Sequence, residues 1–176
     1  ITLSSVLTIS NEVIIDLNGF GITAEDTVGT AIVVDAGAVT IMNSGSAEGS
    51  IKGSGTFTAV QSNGGTLTIS GGTVYGIGTN GNGTITVTGG TIEKCGDGYM
   101  FPDNVTGITV YGGTFAADPT PYLADGYTAV ENGNGYYVVG PEVNAVSAGD
   151  ETVSKPVTVG DAGYETLEAA VAAAEP

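Results

Sequence analysis

Four aspartates, Asp16, Asp35, Asp97 and Asp103, are the side chains of this 176-residue sequence best suited to acid–base work. Two carboxyl groups flanking a glycosidic bond can hydrolyse it, one as acid and the other as base or nucleophile. None of the four lies in an Asp-Asp pair or similar local cluster, and carboxylates so dispersed belong to a solvated outer face. The chain has no histidine and no arginine. Serine therefore lacks an imidazole partner, which removes the usual triad. Elimination on uronate polymers needs a strong base and cations that hold the carboxylates. The only cationic side chains are Lys52, Lys94 and Lys155, scattered along the sequence. One cysteine and no histidine exclude a His/Cys metal site. Oxygen ligands for calcium are abundant, and "KCGDGYMFPDN" and "VGDAGYE" are the two stretches that could hold a weak ion. Neither an EF-hand spacing nor a calcium-roll nonapeptide occurs. Cys95 has no disulfide partner and reads as a small buried hydrophobe. The glycine-rich stretches are followed by no Lys-Ser/Thr and are not phosphate loops. The expectation is a chain that is not an enzyme, with no catalytic residues, no metal and no cofactor.

The glycines are there for shape. Thirty of the 176 residues are glycine, and the apolar fraction is 41%. Such composition points to many short strands joined by turns. "LTISGGTVY" at 67–75 returns as "ITVTGGTIE" at 85–93 and as "ITVYGGTFA" at 108–116. In each copy apolar residues alternate with threonine, as in a half-buried strand, and a diglycine bend leads into a second short strand. Three apolar columns follow. The first is Ile15, Ile41, Ile69, Val87 and Val110, with steps of 26, 28, 18 and 23 residues. The second is Ile51, Val74, Ile92 and Phe115, and the third is Val33, Val60, Ile77 and Met100. Three columns per period imply coils of three strands and three bends. The fold expected is all-β, a right-handed parallel β-helix or solenoid, over 1–118. Thr40, Thr68, Thr86 and Thr109 would stack outside as a ladder. An antiparallel sandwich is the competing architecture, and the fixed place of the diglycine favours the solenoid.

The pattern changes after Pro119. Residues 119–140 read as a β-hairpin finishing the solenoid, with strands at Tyr127–Val130 and Tyr136–Val139 around an Asn-Gly turn. Residues 141–176 read as a linker or strand plus a short helix over 164–175. Thr166 is its N-cap, Glu165 and Glu168 suit the positive end of the dipole, and Leu167, Ala170, Val171 and Ala174 form one apolar stripe. So short a helix needs an apolar surface to lie on. The chain begins at Ile1 with no signal peptide, and is expected to be a piece of a longer precursor.

Four stretches, "VIIDLNGFGIT", the "LTISGGT" phrases, "YLADGYTAVENGNGYYVV" and "YETLEAAVAAA", carry a resemblance across nearly the whole chain. It resembles a recurrent β-helical module of large secreted surface proteins from Gram-positive, often gut-dwelling, bacteria. These are motifs of shape, and the resemblance brings no catalytic residues. It implies an extracellular, cell-surface role as an adhesin, stalk or filament. In that family the helix precedes the β-helix, whereas here it comes last. The chain thus reads as one period of an array, cut between helix and first strand. The partner implied is another copy of itself, or a neighbouring module of one chain. The helix stripe of one copy would cover Leu3, Val6, Leu7 and Ile9 of the next. The alternative is a carbohydrate-binding adhesin, in which Tyr75, Tyr99, Tyr111 and Tyr122 stack on sugars. Ice binding through Thr66/Thr68 and Thr84/Thr86, or polysaccharide degradation, are weaker readings, since threonine is simply a good exposed strand residue. A formal charge of −16 repels phosphate backbones and anionic lipid, so neither nucleic acid nor membrane is an expected partner.

Overall fold

A computed structural model describes residues 1–96, 98–142, 157–159 and 162–164. Contacts divide the chain into two compact units, Ile1–Glu142 and Val143–Pro176. The first unit is nearly all β, and its chain visits three sheets in rotation. Strands β1 (Thr2–Leu3), β2 (Leu7–Ile9) and β3 (Val13–Asp16) each belong to a different sheet. Then β4 (Gly21–Ala24), β5 (Ile32–Val34) and β6 (Ala38–Met42) add one strand to each in the same order. Strands β7 (Ser50–Lys52), β8 (Val60–Ser62) and β9 (Thr66–Ile69) repeat the cycle, as do β10 (Thr73–Tyr75), β11 (Ile77–Thr79) and β12 (Thr84–Val87). After that β13 (Thr91–Glu93) and β15 (Gly113–Phe115) extend the first sheet, and β14 (Ile108–Val110) extends the third. All these pairings are parallel.

The register turns the sequence columns into stacks. Ile15, Ile41, Ile69, Val87 and Val110 pair in succession along the third sheet. All but Ile15, which is half-buried, are fully enclosed. Ile51, Val74, Ile92 and Phe115 pair along the first sheet and are equally buried, and Ile22 adds one more member at the front. Each aliphatic side chain so enclosed stabilises the fold by about 1.5–3 kcal/mol relative to exposure. The second sheet corrects one expectation. Ile32, and not Val33, stands in register with Val60 and Ile77, while Val33 pairs with Gln61 on the outer face. Ile32-Val33-Val34 is apolar throughout, so alternation gives no way to choose. Met100 continues that stack without a strand: its carbonyl accepts from Ile77 N–H at 2.9 Å, inside the loop 94–107.

The diglycine bends have a double cause. The second glycine of each pair, Gly72, Gly90 or Gly113, has φ of 81°, 79° or 110°. The first lies against the coil before it: a Cβ on Gly89 or Gly112 would sit 2.7 Å from the carbonyl oxygen of Ser70 or Thr88. Any side chain there would push the coils apart.

Beyond β15 a 3₁₀ turn, Thr120–Tyr122, leads into an antiparallel hairpin of β16 (Tyr127–Glu131) and β17 (Tyr137–Pro141). Its second strand, β17, docks antiparallel on β15. Tyr136 at the hairpin donates a 2.7 Å hydrogen bond to Glu93 on the first sheet. In the second unit, β18 (Val157–Val159) and β19 (Ala162–Tyr164) pair antiparallel. Tyr164, expected to open the helix, therefore ends a strand. The rest of the expected helix, with Leu167, Ala170, Val171 and Ala174, lies outside the described residues, as do Lys155 and 143–155 of the expected linker.

Candidate functional site

The carboxylates are kept apart. Asp16 ends β3 in the third sheet, Asp35 directly follows β5 in the second, and Asp103 lies in the loop 94–107, while Asp97 is outside the described residues. Asp16 has a structural task. Its carboxylate accepts from the Ser44 hydroxyl at 2.5 Å, the Ser44 N–H at 2.9 Å and the Asn18 N–H at 3.0 Å. These bonds, the Ser44 hydroxyl first, hold its pKa below the ordinary aspartate value although the group is exposed. Asp118 is lowered in the same way by the Thr120 hydroxyl and N–H. Among the described residues no three His, Cys, Asp or Glu side chains converge as metal ligands would.

Of the tyrosines, Tyr111 meets Tyr127 edge-on at 5.3 Å, and Tyr122 lies 4.5 Å from Phe101, itself against Phe115. Tyr99 donates to the Thr56 carbonyl at 2.6 Å. Each of these three tyrosines thus has a partner within the protein. The threonine ladder is present: Thr40, Thr68, Thr86 and Thr109 pair in register, with Ile14 at its head. Beside it, only Thr66 and Thr84 form a second file, preceded by Ala38.

Two regions stand out from this even surface. One is the first coil. Among the described residues β1, β2 and β3 each have a strand neighbour on one side only. Five of the nine exposed large hydrophobic residues among the described ones, Ile1, Val6, Leu7, Ile14 and Phe20, fall in this first stretch. Of the residues expected to make the assembly contact, Val6 and Leu7 are 37% and 40% exposed, Leu3 is half-buried and Ile9 is buried at 8%.

The other region is a cleft of about 310 Å³ on the first sheet, lined by Lys52, Phe57, Tyr75, Lys94 and Cys95 among glycines. Lys52 and Tyr75 are register partners, one residue past Ile51 and Val74 and so on the outer face. The Lys52 ammonium stands 4.2 Å from the centre of the Tyr75 ring, a cation–π contact. Cys95 is buried with its Sγ 3.3 Å from the Thr56 carbonyl. Sequence reading treated Lys52 and Lys94 as scattered. The offset that builds the inner column aligns Lys52, Tyr75 and Glu93 outside it, but leaves Lys94 one residue beyond this file. Searches against family models, curated proteins and solved structures return no match for this chain. No helix among the described residues is long and apolar enough to cross a membrane.

Proposed function

We propose that the chain is a structural module, a right-handed parallel β-helix that stacks head to tail with other copies in an extracellular stalk, fibre or adhesin. One observation carries this reading: among the described residues the first coil presents three one-sided strands together with most of the exposed large hydrophobic side chains. Unpaired strand edges beside apolar surface are a template for another chain, and solenoids ordinarily cover them. At the other end of the first unit, the hairpin already adds to the first sheet and Leu123 bridges to Val110 of the third. The occupant proposed for the first coil is the C-terminal segment of the preceding copy, through Leu167, Ala170, Val171 and Ala174. Such a contact joins unlike faces, so it propagates into a filament unless its rotation closes a ring. The copies stack as separate subunits or in tandem on one chain.

Sedimentation velocity over a concentration series tests the proposal, using two copies joined in tandem so that at least one contact can form in either case. The tandem protein should sediment as a compact rod with both copies in contact. Leu7→Lys in the second copy, or deletion of 157–176 from the first, should loosen it to two independent bodies on a tether. Identical sedimentation of all three proteins would overturn the stacking reading.

A further inference from the structure

The chain carries 19 acidic residues and three lysines, yet two of those lysines line the same cleft on the first sheet. Lys52 and Lys94 are both exposed, and neither forms an ion pair among the described residues. The neighbouring carboxylate, Glu93, stands one register step beyond Tyr75 and accepts from the Tyr136 hydroxyl at 2.7 Å. Lys52 is fixed over the Tyr75 ring, which takes much of the freedom from its long side chain before any ligand arrives. Phe57, an aromatic ring 56% exposed, also lines the cleft. Glycines 53, 55 and 96 line the rest, and a Cβ on Gly53 or Gly96 would collide with the backbone carbonyl of Phe57 or Gly55.

We propose that this cleft binds the acidic end of a glycan, a sugar ring that carries a carboxylate. The proposal stands apart from the stacking reading and does not need it. The ligand's chemistry follows from the two halves of the site. Two ammonium groups in a shallow cleft offer charge-assisted hydrogen bonds to one carboxylate. Phe57 offers a flat apolar surface to the C–H face of a sugar ring, while the ring's hydroxyls stay in water because the cleft is open. A bare phosphate or sulfate would use the lysines and leave Phe57 idle. A neutral sugar would use Phe57 and leave the lysines unpaired. Nucleic acid is opposed by the charge of −16 over the rest of the molecule, which a long polyanion would meet and a single terminal carboxylate would not.

The test is titration calorimetry with three probes: an oligosaccharide ending in a uronic acid, the same oligosaccharide ending in the neutral sugar, and acetate. The proposal expects the acidic oligosaccharide to bind and the other two to bind at least about tenfold more weakly, the factor expected when a charge-assisted hydrogen bond of about 1.5 kcal/mol is lost. Lys94→Gln and Lys52→Gln should each weaken the acidic probe by a similar factor, and Phe57→Ala should bring it down to the level of acetate. Ser5→Glu makes the same one-unit charge change on an exposed residue of the first coil and should leave binding unchanged. All four positions are exposed, so the variants are expected to fold. Equal binding of the acidic and neutral oligosaccharides, or equal binding of the acidic oligosaccharide and acetate, overturns the proposal. So does indifference to both lysine substitutions, or a loss with Ser5→Glu as large as with Lys94→Gln.

Discussion

Asp16 and Ser44 sit in successive coils, 28 residues apart in sequence, and together they clamp a corner of the stack. The Ser44 hydroxyl and N–H and the Asn18 N–H all donate to the ionised carboxylate, so protonation weakens all three bonds. The folded pKa therefore lies below the unfolded one. The clamp contributes fully above about pH 4, and its contribution is lost as the pH falls through the folded value. Ser44→Ala removes the largest cause of the shift. The acid-unfolding midpoint, followed by circular dichroism, should then move to higher pH, while the thermal midpoint at pH 7 falls modestly. An unchanged acid midpoint would mean that the corner is held by the backbone alone. No sequence pattern marks this pair, because a hydrogen bond between coils depends on how much chain each coil uses at its corner.

At the scale of the strands, the columns were legible because one residue type recurs at one place. Alternation in Thr66–Ile69 and Thr84–Val87 assigns Ile69 and Val87 to the interior, and the diglycine fixes where each strand ends. Where alternation fails, so does the reading: Ile32-Val33-Val34 offers two equivalent faces, and the structure buries Ile32 and Val34 and turns Val33 outward. The cleft was hidden for another reason. Lys52 and Lys94 are 42 positions apart in sequence, and only the stacking of coils brings them to one cleft. Register is tested by a pair of aspartates on adjacent residues. Val87→Asp places an unpaired charge in the core and should cost about 3–5 kcal/mol, enough to unfold a marginal domain. Thr86→Asp, one residue away on the outer face, should change the stability by no more than about 0.5 kcal/mol. Equal thermal midpoints for the two variants would contradict the pairing of Val87 with Ile69 and Val110.

At the largest scale, the stack of the first unit is unequal at its two ends. Towards the hairpin, the first sheet is extended by β17 and β16, and the loop 94–107 carries Met100 against β11. At the first coil, Ile14 and Phe20 are 69% and 68% exposed beside strands with one neighbour. An apolar end of this kind, in a chain whose net charge of −16 otherwise discourages association, is where the proposed contact between copies would cost least in desolvation. Amide hydrogen exchange on two copies joined in tandem tests that claim directly. If the second copy's first coil is covered by the first copy, the amides of residues 2–16 exchange more slowly there than in the first copy, which has no predecessor. Deleting residues 157–176 of the first copy then removes the difference. Identical exchange at residues 2–16 in both copies would contradict head-to-tail stacking.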